Sequence, residues 1–175
     1  MTELKAESML VELMRYNNWA NQTVLAACEG LDEALLARPI AGAYGSIRDT
    51  LAHIVRAESW YVSLLTGKRP PAPFDWKDGP GVAEIKAFAL EVGEALMDAV
   101  QRVAPDMPVV EVDGEETWRY PATVVYIQII NHGIEHRTNI TTILNQEGLN
   151  PPHVAGWGYM EAHQARFEAE ADVNG

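Results

Sequence analysis

The sequence predicts an all-α protein, a four-helix bundle, and three observations carry that reading. Four long stretches repeat apolar side chains at helical period. Strand-like alternation is confined to one short segment. Helix start and stop signals fall at the ends of the periodic stretches. At 175 residues the chain reads as one domain, residues 1–171, followed by a frayed tail at 172–175.

The first helix runs from about Thr2 to Cys28, with Leu10, Leu13, Asn17, Ala20, Val24 and Ala27 on one face and Gly30 as its stop. The second opens on Ser46-Ile47-Arg48-Asp49, close to a capping box. It continues through Leu51, Ile54, Glu58, Tyr61 and Leu65 to Gly67. A third, from about Gly81 to Val103, aligns Ile85, Phe88, Val92, Leu96 and Ala99. Pro121 starts the fourth at a first-turn position, and Gly148 ends it just past Gln146. Between them, Lys68 to Pro80 is proline-rich and reads as an irregular loop. Val109 to Tyr120 carries Asp113-Gly114 between β-prone flanks and fits a small hairpin before the fourth helix. After Pro151-Pro152 a short C-terminal helix is expected around Tyr159 to Glu168. The two long connections mean that the topology need not be simple up-down-up-down.

With 13 Lys and Arg against 25 Asp and Glu, the net charge of −12 argues against nucleic acid and anionic membrane surfaces, which need Lys/Arg clusters, and Lys68-Arg69 is the only adjacent basic pair. No apolar run approaches the roughly 18 residues of a membrane span. The opening segment, Met1-Thr2-Glu3-Leu4-Lys5-Ala6-Glu7, is acidic and polar, unlike a secretory signal. The single cysteine, Cys28, forms no internal disulfide and reads as a buried, inert thiol, so a cytoplasmic location is expected.

His132 and His136 stand one turn apart in the most apolar helix of the chain. Val125, Ile129, His132, His136, Ile140 and Ile143 share one stripe, the face that turns into a core. Burying two imidazoles there without partners costs on the order of a few kcal/mol in lost hydration. A shared divalent cation removes that cost, because residues four apart have Cβ atoms roughly 5–6 Å apart. His53 arrives from the second helix as a third ligand, at the border of the apolar arc beside Ala57, Trp60 and Leu64. The competing reading is a pair of hydrogen-bonded core histidines. Three neutral nitrogens suit zinc, nickel, iron or manganese, with zinc and nickel favoured on affinity, and leave a position open for water or substrate.

The other histidines read as solvated: His153 in a proline loop, and His163 among Glu161, Gln164 and Arg166. Glu58 falls in the middle of an apolar stripe and needs a partner. It either accepts the free N–H of a liganding histidine, as carboxylates behind metal ligands do, or pairs with an arginine or Asn17. Glu135 completes His132-Gly133-Ile134-Glu135-His136, the inverted zinc-peptidase spacing, where it would be a general base. Such peptidases take a carboxylate ligand from far downstream in larger α/β domains, so Glu135 reads as a rim charge. Trp19, Trp60 and Trp157 read as packing residues.

Four motifs then stand in a familiar order. They are Tyr16-Asn17-Asn18-Trp19-Ala20-Asn21; Gly45-Ser46-Ile47-Arg48-Asp49-Thr50-Leu51-Ala52-His53 with Glu58 and Trp60; Asn131-His132-Gly133-Ile134-Glu135-His136-Arg137; and Gly156-Trp157. Together they resemble the DinB/YfiT-like family, over most of the chain. The resemblance implies a bundle of up-down-down-up topology holding a divalent metal, with His53, His132 and His136 at the family's three ligand positions. It also implies a homodimer. Relatives include transferases and isomerases that use low-molecular-weight thiols such as mycothiol or bacillithiol, and proteins described as metal-dependent hydrolases. One departure is that relatives often carry acidic residues ahead of Gly-Trp, where this chain has Pro151-Pro152-His153-Val154-Ala155.

The function expected is that of a metal-dependent thiol S-transferase acting on a small-molecule substrate with an external low-molecular-weight thiol. In that chemistry the metal lowers the pKa of the thiol. The alternatives are hydrolysis by a metal-bound hydroxide, a non-catalytic dimeric stress-response module whose bundle the metal stabilises, and a metal-free helical protein with core histidines.

Overall fold

Each long periodic stretch becomes a helix that packs an apolar face against two neighbours. A computed structural model describes residues 6–174, with side chains from 9 to 171. Helix α1 spans Ala6–Cys28; the start expected near Thr2 lies outside the described residues. A short α2, Glu33–Ala37, follows, its first turn held by the Asp32 side chain accepting from Ala34 N at 2.7 Å. Helix α3, Ile47–Thr66, opens on the capping box its sequence promised. Asp49 N donates to Ser46 Oγ and Ser46 N donates to Asp49 Oδ2. Gly67 ends α3 at φ 75°, a left-handed conformation that favours glycine. Helix α4, Val82–Arg102, is secured at its start by Gly81 N donating to Glu84 Oε2.

Strands β1, Pro108–Asp113, and β2, Glu116–Pro121, form the expected hairpin, with Val109 opposite Tyr120 and Glu111 opposite Trp118. The turn is Gly114-Glu115, with Gly114 at φ 58°. Helix α5, Ala122–Gln146, starts directly after Pro121, which stands at the N-cap position rather than in the first turn and makes no side-chain cap bond. Helices α6, Gly156–Ala162, and α7, Gln164–Asn174, close the chain.

The directions follow from side-chain contacts. Asn18 on α1 donates to Gly93 O on α4, and Glu29, just past the end of α1, meets Lys86, so these two helices run antiparallel. On α3 and α5, Tyr61 pairs with Gln128 and His53 with His132, again antiparallel. The C-terminal ends of α3 and α4 line one groove, Leu65 and Thr66 facing Arg102 and Val103, so those helices run the same way. The bundle is therefore up-down-down-up, and the 67–81 connection travels its length. Helices α1 and α3 stand diagonally, each packed on both α4 and α5. Met14, Leu25, Leu51, Phe88, Leu96 and Ile140 are fully buried between them. Each such side chain contributes roughly 1.5–3 kcal/mol relative to exposure.

Several local features differ from expectation. Helix α1 buries Met14 and Asn21 beside the expected Asn17, Ala20 and Val24, while Leu13 is 40% exposed. A helix that must serve two neighbours turns a wider and differently centred face inward than its most regular apolar row. Helix α2 was not anticipated, because its stabilisation comes from a five-residue cap-and-dock element too short for periodicity. A single 3-10 turn at Trp76–Asp78 interrupts the proline-rich loop. The C-terminal helix is two helices: His163 leaves helical geometry at φ −122°, and its N–H turns back to Tyr159 O and Met160 O. The backbone of residues 172–174, read as frayed, continues α7, and Gly175 lies outside the described residues. Trp157 is 73% exposed rather than packed. No helix among the described residues is long and apolar enough to cross a membrane.

Candidate metal centre

The antiparallel packing of α3 on α5 brings His53 level with His132 and His136. His53 Nε2 and His132 Nε2 are 2.9 Å apart. The ring centroids of His136 lie 4.7 Å from His53 and 4.4 Å from His132. The potential ligand nitrogens of the three all fall within 4.8 Å of one another. His132 and His136 are buried and His53 is half-buried. Tyr44 covers the group from the solvent side, stacked on His53 at 3.7 Å and edge-on to His136. Tyr61 stands edge-on to His132.

Two observations show that these residues fit a cation. Nδ1 of His132 and Nδ1 of His136 are shielded from solvent and have no hydrogen-bond partner; a cation bound through these nitrogens would satisfy them, and one bound through Nε2 would not. Burial also holds all three imidazoles below their ordinary pKa. His132 falls to about 4, with His136 and His53 adding to the effect. The rings are thus neutral at neutral pH, the state in which a lone pair is available to a metal. Two nitrogens bound to one tetrahedral zinc at about 2.0–2.1 Å stand roughly 3.3–3.4 Å apart, whereas His53 Nε2 and His132 Nε2 are closer, at a distance that also suits an N–H···N hydrogen bond between the rings. Among the described residues no fourth His, Cys, Asp or Glu joins the group.

Behind the histidines lies a buried polar cluster of Asn17, Asn21, Glu58 and Arg137. Both asparagines donate to Glu58 Oε1, at 2.7 and 2.8 Å. Arg137 Nη1 donates in turn to Asn17 Oδ1 at 2.8 Å and Asn21 Oδ1 at 2.5 Å. Of the two sequence readings of Glu58, the structure displays the pairing with Asn17, extended to Asn21 and Arg137. Its carboxylate makes no hydrogen bond to a histidine. Burial pushes the Glu58 carboxyl up and the Arg137 guanidinium down, and the charge of each opposes the shift of the other. Every amide donor faces the carboxylate and every amide oxygen faces the guanidinium, an arrangement matched to an ionised pair. Gly133 leaves the space that Arg137 occupies.

Residues 2–170 match the DinB family model. The chain belongs to the DinB family. Protein DinB of Bacillus subtilis (strain 168) is 22% identical over 146 residues, which cover 78% of this chain and 85% of that protein. A DinB-like protein from Bacillus cereus ATCC 10987, known from its crystal structure, shares the fold at a TM-score of 0.64 and 21% identity. That likeness covers 83% of this chain and 95% of the other.

Within this DinB-family bundle the remaining sequence candidates stay apart from the histidine group. His153 is exposed, 3.9 Å from Glu161. His163, expected to be solvated, is half-buried against Trp19 and Tyr159, with Nδ1 2.9 Å from Tyr159 O. The helix break at His163 folds it back onto α1, which a polar sequence context does not reveal. Glu135 is exposed at the rim, where its charge counters the fall in the pKa of His53 and His136. Cys28 is buried with its thiol pushed up to about 12 by burial.

Asn21, Arg137 and Tyr44 are the parts of this DinB centre that sequence reasoning did not assign. A glycine in mid-helix one turn ahead of an arginine was the available signal for Arg137. Tyr44 sits in a loop with no periodicity to place it. Beside His53, an open cleft of about 330 Å³ is lined by Tyr44, Gly45, Asp49, Ala52, Arg56 and Trp76.

Proposed function

We propose that the chain is a metal-dependent enzyme of the thiol S-transferase type, acting on a small electrophilic substrate with an external low-molecular-weight thiol. The observation that carries this reading is the open three-histidine group: three neutral nitrogens, no fourth His, Cys, Asp or Glu among the described residues, and a cleft at the half-buried member. A site that stabilises structure alone usually closes with four protein ligands.

His53, His132 and His136 would hold the cation, with zinc or nickel favoured by nitrogen donors over manganese or iron. A divalent cation there supplies Lewis acidity, lowering the pKa of a coordinating thiol so that thiolate is present at neutral pH. The chain's own residues do the rest. Arg137 and Glu58, tied through Asn17 and Asn21, fix α5 against α1 and α3 and so fix the histidine rings. Tyr44 shields the rings from bulk water. The nucleophilic sulfur must come from outside, because Cys28 is buried and its thiol stays protonated. In the transfer a carbon–sulfur bond forms, the bond from that carbon to its leaving group breaks with the electron pair departing on the leaving group, and the thiol proton passes to solvent.

The test is thiol consumption by protein loaded in turn with zinc, nickel, manganese and iron, using bacillithiol, mycothiol or glutathione with a haloaromatic electrophile. The account expects turnover that chelation and His53→Ala both abolish. Ester hydrolysis without thiol consumption would replace the transferase reading by a hydrolase. No turnover of either kind would leave a binding module.

A further inference from the structure

Arg56 lies one turn beyond His53 on α3 and lines the same cleft. Most arginines of this chain are committed: Arg15, Arg38, Arg48, Arg102 and Arg166 each meet a carboxylate, and Arg69 reaches Ser59 Oγ and the Arg56 carbonyl. Among the described residues the Arg56 guanidinium makes no hydrogen bond and no ion pair. Its backbone is nevertheless fixed, within a helix and under the Arg69 guanidinium. The acid in the cleft does not neutralise it, since Asp49 is spent on the amide and hydroxyl of Ser46. Arg56 is exposed, and its unpaired side chain stands at the edge of a cleft that continues from a candidate metal ligand. Tyr44, stacked on His53, and Trp76 are flat walls on its other sides.

We propose that Arg56 is the specificity-determining residue of this cleft, binding the carboxylate of a small substrate whose other end reaches the three-histidine group. The inference rests on the reading of those histidines as a metal centre and adds the substrate's charge class. A guanidinium presents two parallel N–H donors that match a carboxylate edge. A single negative charge fits better than a doubly charged phosphate, because one arginine faces the ligand while Asp49 lines the same cleft and Glu135 stands at the rim. The aromatic walls favour a flat, unsaturated skeleton next to the carboxylate.

The experiment uses full-length protein loaded with cobalt(II), whose thiolate absorbs in the near ultraviolet, titrated with 3-mercaptopropionate and with 3-mercapto-1-propanol. These thiols are matched in length and differ in charge. Wild type is expected to bind the carboxylate thiol about tenfold or more tightly than the alcohol, the scale of a charged hydrogen-bonded contact. Arg56→Gln should bring the two to near parity at unchanged cobalt content, and Arg56→Lys should keep part of the preference. Acetate should compete better than inorganic phosphate. Equal binding of both thiols by wild type, a preference that survives Arg56→Gln, or stronger competition by phosphate would overturn this inference and leave the thiol reading standing. No spectral change with either thiol, or no cobalt taken up, would overturn both.

Discussion

Gly133 lies directly beneath Arg137: a Cβ at position 133 would come within 2.5 Å of Arg137 Nη1 and 2.7 Å of Asn17 Oδ1. The helix that carries two of the three histidines is thus tied to α1 by a guanidinium that only a glycine one turn earlier admits. On helix propensity alone, Gly133→Ala would gain about 1 kcal/mol. Crowding a fixed, buried arginine costs about 1–3 kcal/mol and displaces its two hydrogen bonds. The account expects a net loss of about 1–2 kcal/mol, read as a lower urea midpoint at unchanged slope. An alanine variant as stable as wild type would contradict it.

The Glu58–Arg137 pair should behave as one unit. Removing either partner leaves the other buried without its counter-charge, a loss of about 3–5 kcal/mol for Glu58→Leu or Arg137→Met. The double variant should lose much less than the sum of the singles. Additivity within about 0.5 kcal/mol in a denaturation cycle would show that the asparagines do not couple the two.

The C-terminal helices should loosen in acid. Burial alone would raise the Glu12 carboxyl, but hydrogen bonds from Arg166, Tyr159 and Arg15 outweigh it and bring it from 4.5 to about 2. A carboxyl whose folded pKa lies below its unfolded one contributes stability above the unfolded pKa and loses it as pH falls toward the folded one. The gap in urea midpoint between wild type and Glu12→Gln should therefore be full above pH 4.5 and close as pH drops toward 2. A constant gap across that range would remove Glu12 from the docking of α6 and α7.

Cys28 should be silent. With its thiol fully buried and pushed up to about 12, it should not react with a thiol-specific disulfide reagent at neutral pH until the chain unfolds. Rapid labelling of the native protein would contradict the packing of the end of α1.

The four helices were legible because each buries a long stripe, and stripe spacing is written in the sequence: Leu51, Ile54, Tyr61 and Leu65 on α3 face inward as their period required. The capping box at Ser46 and the turn at Gly114 were legible because their chemistry is local. His53, His132 and His136 could be named together because imidazoles on apolar faces are costly without a partner. What stayed hidden depends on contacts between distant residues. Asn21 and Arg137 gain their meaning only across the bundle from Glu58. Tyr44 reaches His53 from a loop whose path no spacing encodes. The fold of α6 and α7 onto Tyr16, Trp19 and Glu12 is likewise set by packing, not by any signal near His163.

Three histidines from two helices are proposed to hold one cation. Elemental analysis of tag-free protein tests this most directly, with wild type beside His53→Ala and His132→Ala, each dialysed without chelator. The account predicts about one divalent cation per chain in wild type, as three ligands at one site would bind, and its loss from both variants at preserved helical content. Wild type that stays metal-free after incubation with zinc, nickel and manganese would contradict it and leave the three imidazoles as core residues.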